Sequence, residues 1–198
     1  YREVRVTNPS SGIYEVIINP SWTTQRGRPA VRAWRDADPT VVETDVRVPG
    51  EGLFVLAAKA TPLGNGYWRY AYALQNLNSD RAGQSFSLDL PAGALVENVS
   101  FHDVAHHSGE PYVQTPWSVA VTPGGITWYS EPYDVNPNAN ALRYDTIYGF
   151  YFDCNVEPGA AKAEIGLFKP GLLDAVTDTT IGPKVPAVDC NGNTISDL

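Results

Sequence analysis

All three histidines of the chain fall in one short segment, Phe101-His102-Asp103-Val104-Ala105-His106-His107-Ser108-Gly109-Glu110-Pro111-Tyr112. Imidazole and carboxylate are natural ligands of zinc, copper and iron. His102, His106, His107 and Glu110 are therefore a candidate transition-metal set, with Asp103 as a further oxygen donor. A histidine here is also a candidate base, because imidazole titrates near neutral pH. The spacing is not that of two histidines on one helix face, and Ser108-Gly109-Glu110-Pro111 breaks any helix. The segment reads as a loop, on which spacing does not fix convergence. A loop whose histidines bond backbone groups at one end of the fold accounts for the same residues. A second oxygen-rich run closes the chain, Asp189-Cys190-Asn191-Gly192-Asn193-Thr194-Ile195-Ser196-Asp197-Leu198. Asp189, Asn191, Asn193 and Asp197 fall at loop positions 1, 3, 5 and 9, and Ile195 at position 7 offers its carbonyl. Calcium takes about six to eight oxygens at such spacing. Thr194 stands where this kind of loop favours Gly.

The remaining candidates are fewer. Trp22 and Trp34 lie in an irregular Arg-rich segment, where they form either a flat ligand platform or a plug over one end of the fold. The carboxylate pairs Glu43/Asp45 and Asp36/Asp38 sit at alternate positions, which places them on a solvated face rather than in an acid–base site. No Gly-x-Ser-x-Gly, no phosphate-cradling Gly loop and no CxxC is present, so no catalytic set is assigned. Asn98-Val99-Ser100 is a glycosylation sequon. Cys154 and Cys190 are the only two cysteines. They bridge to each other, or Cys190 pairs elsewhere and Cys154 is a small buried residue.

The elements that must position these groups are strands. From Leu53 to Leu77, Phe54, Leu56, Ala58 and Ala60 share one face of a first arm. Trp68, Tyr70, Tyr72 and Leu74 share one face of a second. Leu63-Gly64-Asn65-Gly66 lies between, and Asn-Gly accepts the positive φ of a hairpin turn. The same period of two runs through Val4 and Val6, through Tyr14, Val16 and Ile18, and through Val42 to Val48. It returns in Phe86, Leu88 and Leu90, in Val99 and Phe101, and in Trp117, Val119 and Val121 with Ile126 and Trp128. Tyr148, Phe150, Phe152 and Cys154 follow, then Ala163, Ile165 and Leu167. No stretch keeps a helix period for three turns. The expectation is an all-β antiparallel sandwich of immunoglobulin-like or jelly-roll type with roughly nine to ten strands. It spans residues 1–171, followed by a Pro-containing linker over 172–188 and the start of a calcium loop over 189–198.

Composition narrows the function. The 198 residues are 43% hydrophobic and 18% charged, a globular balance. The net charge of −8 and the absence of a basic patch argue against nucleic acid. No run of apolar residues is long enough to span a membrane. The sequence contains no Met, so it reads as a processed protein or a piece of a longer one. Few Lys and many Asn, Gly, Thr and Tyr suit an extracellular or cell-surface setting.

The closing D-C-N-G-N-x-I-x-D run resembles the calcium loops of dockerin and thrombospondin type 3 repeats. With the Pro-rich stretch before it, it is similar to the C-terminal ends of large secreted proteins of planctomycete-type bacteria. P-A-V-R-A-W, Y-A-L-Q-N-L-N-S and F-H-D-V-x-x-H-S-G-E-P-Y are similar to recurring phrases of the uncharacterised sandwich domains preceding such loops. The resemblance implies an exported surface or matrix protein and no activity. The expected function is a non-catalytic module for adhesion, assembly or domain spacing. Its partners would be other domains of the same protein or a surface glycan. Two alternatives stand beside it: a carbohydrate-binding module with a Trp or Tyr platform, and a metal-binding protein or metalloenzyme built on the histidines.

Overall fold

In the computed structural model, residues 1–105 and 109–185 are described. Two five-stranded antiparallel sheets pack face to face as a sandwich. The first has the order β3 (Val42–Val48), β4 (Gly52–Pro62), β5 (Trp68–Asn76), β10 (Ile147–Cys154), β7 (Val96–His102). The second runs β12 (Ala175–Pro183), β11 (Pro158–Leu167), β6 (Gly83–Asp89), β9 (Gly125–Tyr129), β8 (Ser118–Thr122). β1 (Arg5–Ser10) and β2 (Ile13–Ile17) pair only with each other. The one helix among the described residues, α1 (Arg32–Ala37), has six residues.

The β4–β5 hairpin is central to the first sheet, as its alternation demands. Leu56 and Ala58 are buried opposite Leu74 and Tyr72, with Phe54 and Tyr70 buried on the same face. The arms are joined by a five-residue loop closed by the Leu63 N–H on the Tyr67 carbonyl. Gly64 and Gly66 take its positive φ values, while Asn65 accepts the Tyr67 N–H on its side chain. At the end that holds Val55 and Ala57 the hairpin is buried on both sides rather than half-buried. Val55 and Ala57 face outward but lie in a second apolar cluster with Val31 and Val41, against which Trp34 of α1 packs.

Aromatic rings fill the space between the sheets. Phe86 of β6 meets Phe150 of β10 at 4.8 Å between centroids, and Tyr70 stacks on Phe152 at 5.1 Å. Each such ring removes a large apolar area from water and adds a directional contact. The phenols of Tyr70 and Tyr72 reach across to donate to the Val156 and Ile181 carbonyls, at 2.8 and 3.0 Å. A buried hydroxyl therefore keeps an acceptor.

The sandwich extends further than its pattern suggests. Residues 175–183, expected to be linker, form β12, which pairs with β11 from Pro158↔Pro183 to Gly166↔Ala175. The inward positions of β12 include Val176, Thr180 and Gly182, so polar and absent side chains break the alternation. Gly182 is required by space, since a Cβ there would lie 2.7 Å from that of Ala161. Among the described residues the strands number twelve, against the nine or ten expected.

A second departure lies at the other edge of this sheet. Trp117 is buried as expected, but Val119 and Val121 of β8 are 45% and 50% exposed. They lie on the outermost strand and project past the core that Ile126 and Trp128 enter.

Candidate interaction surface

The histidine segment begins at the end of β7. Phe101 points inward and stacks on Trp117 at 5.5 Å, while its neighbour His102 is exposed. Asp103 accepts the side-chain N–H of Asn140, a residue 1% exposed. Asn140 also donates to the Thr115 carbonyl at 3.0 Å and accepts the Tyr148 hydroxyl at 2.6 Å, and its carbonyl takes the Trp117 indole N–H. Asp103 is thus a strut of a buried plug at one end of the sandwich. Burial in that plug pushes the Tyr148 phenol far above its ordinary pKa. Glu110 is exposed. His106 and His107 lie outside the described residues. Among the described residues no three His, Cys, Asp or Glu side chains gather as a metal set.

The carboxylate pairs have structural partners. Glu43 and Asp45 were expected on a solvated face, but together they clamp Arg32 of α1. Its guanidinium lies 2.8 Å from Glu43 and 2.6 Å from Asp45, and the Glu43 side chain is only 7% exposed. The helix lies across the outer face of β3 at that point and shields Glu43 from water. Asp36 accepts the Tyr1 hydroxyl and pairs with Arg28. Asp38 pairs with Lys59 and accepts the Thr40 hydroxyl and N–H, and these bonds hold its carboxyl down at about 2. Bonds of this kind stabilise the ionised form.

The two tryptophans occupy different settings. Trp34 rests half-buried on the apolar cluster under α1. Trp22 is half-buried in the turn after β2, its N–H on the Asn19 carbonyl. Cys154 is fully buried on the inner face of β10, and burial raises its thiol pKa. Cys190, its candidate partner, lies outside the described residues. So do Asp189, Asn191, Asn193, Ile195 and Asp197 of the calcium-type loop.

The most unusual surface is the β1–β2 ribbon. Val4, Val6, Ile13, Tyr14, Val16, Ile17 and Ile18 are all exposed, Tyr14 at 70% and Val16 at 64%. Both faces are apolar, because Ile13-Tyr14-Glu15-Val16-Ile17-Ile18 places large side chains at both parities. Strand alternation groups Val4 with Val6, and Tyr14 with Val16 and Ile18, each on one face. The parity break from Ile17 to Ile18 is the signal that points elsewhere, since a one-sided strand does not carry it. The base of the ribbon is fixed: the Gln25 N–H donates to the Tyr1 carbonyl at 2.8 Å, and Arg2 reaches the Asn19 carbonyl at 2.7 Å. An isolated two-stranded ribbon is marginally stable in water. Exposed apolar patches of this kind mark interaction sites.

Matched against protein-family models and against curated proteins, the chain resembles none. No helix among the described residues is long and apolar enough to cross a membrane.

Proposed function

We propose that this chain is a non-catalytic β-sandwich module of a larger extracellular or cell-surface protein, and that it serves assembly by docking its β1–β2 ribbon against a neighbouring domain. The observation that carries the reading is the ribbon itself. Seven large apolar side chains are exposed on an element that joins neither sheet. Full burial of such a side chain is worth about 1.5–3 kcal/mol, and these are already about half covered, so docking would contribute about half of that for each. The sandwich behind it, with its helix clamp and end plug, is a rigid mount. The low charge and the Asn-, Gly- and Tyr-rich composition fit an extracellular setting.

The test is a ribbon variant, Val6→Thr, Val16→Thr and Ile18→Thr, which keeps β-branched side chains. In the isolated chain it should leave the melting of the sandwich unchanged. In the longer parent protein it should expand the molecule in small-angle scattering and speed proteolysis between domains. An unchanged scattering profile in the parent would remove the reading.

A further inference from the structure

The outer face of the first sheet is only half covered. Alternation places Lys59 and Thr61 of β4 on it, with Arg69, Ala71 and Ala73 of β5 and Gly149, Tyr151 and Asp153 of β10. The cluster under α1 covers the end that holds Val55, Ala57 and Ile147. Beyond it the face is open. Its rows read Lys59, Ala71, Tyr151, Ser100, and then Thr61, Arg69, Asp153, Glu97.

Tyr151 dominates this open half and is 39% exposed. Its ring leans back along the strand over Gly149. A Cβ on Gly149 would stand 3.1 Å from Cε2 and 3.2 Å from Oη of that ring. The ring is low on the sheet because position 149 has no side chain. Tyr67, the last residue of the hairpin loop before β5, donates its hydroxyl to Glu97 at 3.2 Å. The register puts the two tyrosine Cα atoms about 14 Å apart on one face.

Fixed polar groups lie between them. Arg69 grips Asp153 with two bonds, of 2.8 and 2.9 Å. Asn98 adds a third to the same carboxylate, at 2.8 Å. It reaches there through a bulge: β7 has three steps from Glu97 to Ser100 where β10 has two from Asp153 to Tyr151. Asn98 itself adopts φ +51°, uncommon for a residue with a side chain. Bulges re-aim side chains beside sites. Chiefly through Arg69, the Asp153 carboxyl is held below its ordinary pKa, so the network is ionised at neutral pH. Arg69 pairs with Asp153 and Lys59 with Asp38, while Glu97 at the edge accepts the Tyr67 hydroxyl.

The geometry points to a glycan-binding site on this open half-face, shaped for an extended neutral polysaccharide with a flat β-1,4-linked backbone. A low tyrosine ring offers its apolar surface to the C–H face of a sugar and its hydroxyl to the sugar's edge. Arg69 and Asn98 present polar groups already fixed from below by the buried Asp153 carboxylate, which lowers the ordering cost of binding. Apart from Glu97 at its edge the face pairs its charges, which suits a neutral polyol, and the net charge of −8 repels a polyanion. The span between Tyr67 and Tyr151 covers more than one hexose, so the ligand is a chain rather than a monosaccharide. This site shares no residue with the ribbon and stands independently of it.

The test is affinity electrophoresis of the whole chain in gels containing hydroxyethylcellulose or arabinoxylan, with polygalacturonate as the anionic counterpart. The expected result is retardation by at least one neutral polymer and none by polygalacturonate. Tyr151→Ala should weaken that binding about tenfold or more, a loss of about 1.4 kcal/mol. Gly149→Ala should weaken it with the phenol still present, because the ring must lift. Unchanged melting temperatures would show both variants folded. No retardation by either neutral polymer overturns the proposal. Retardation by polygalacturonate alone overturns it too, as does full binding by folded Tyr151→Ala.

Discussion

Gly182→Ala separates a strand from a linker at the C-terminal edge of the sandwich. A methyl group at Gly182 would lie 2.7 Å from the Ala161 Cβ and 3.4 Å from the Tyr72 hydroxyl oxygen. Favourable carbon contacts sit near 3.5–4.0 Å, so β12 must move outward by about 1 Å. That movement pulls the Ile181 carbonyl away from the Tyr72 hydroxyl, now 3.0 Å distant. Overpacking of this size costs about 1–3 kcal/mol, and a buried phenol losing its acceptor costs about 1 kcal/mol more. The sum is about 2–4 kcal/mol. With a urea slope of about 2–3 kcal/mol/M, the midpoint should fall by about 1 M at unchanged slope. Gly124→Ala is the control, since a Cβ there meets nothing within 4 Å. Equilibrium urea unfolding followed by tryptophan fluorescence reads both. A Gly182→Ala midpoint equal to the control's would refute the packing argument and return residues 175–183 to a linker.

Two further expectations follow from the end plug and the helix flank. Asn140→Ala removes a buried amide on which Asp103, Thr115 and Tyr148 converge, so it should destabilise the chain by about 2–3 kcal/mol and blunt the near-ultraviolet dichroism of Trp117. Thermal melts at constant pH check it, and a shift within error of zero would count against the plug. Asp38, held at about 2 by Lys59 and Thr40, has a folded pKa below its ordinary value of 3.8. Its contribution to stability is therefore complete above about pH 4 and is lost as pH falls toward 2. A carboxyl NMR titration with a midpoint near 2, moving toward 3.8 in Lys59→Gln, is the expected outcome.

Much of the fold was legible because burial imposes a period of two wherever one face of a strand meets the core. Phe54, Tyr72, Phe86 and Phe150 are inward in the sequence pattern and in the structure alike. The pattern failed where other constraints chose the residue. In β12 close approach demanded Gly182, and the strand read as linker. In β8 the edge position left Val119 and Val121 exposed although their alternation was sound. At Glu43 alternation gave the outward face but not its cover, since the helix over it has six residues, too few to leave a helical period. The two proposed surfaces were less legible still. Tyr151 matters for its neighbour two positions back, and no period reports that a ring rests on Gly149. The network around Asp153 joins β5, β7 and β10, whose adjacency is topological. The sequon drew attention to Asn98, but not for the bulge that aims it.

The most direct measurement of the assembly claim is hydrogen exchange at the β1–β2 ribbon, compared between the isolated chain and the longer parent protein. The account predicts near-unprotected exchange for Arg5–Ser10 and Ile13–Ile17 in isolation and strong protection in the parent, with the β4–β5 core slow in both. Equal exchange of the ribbon in the two proteins would contradict it.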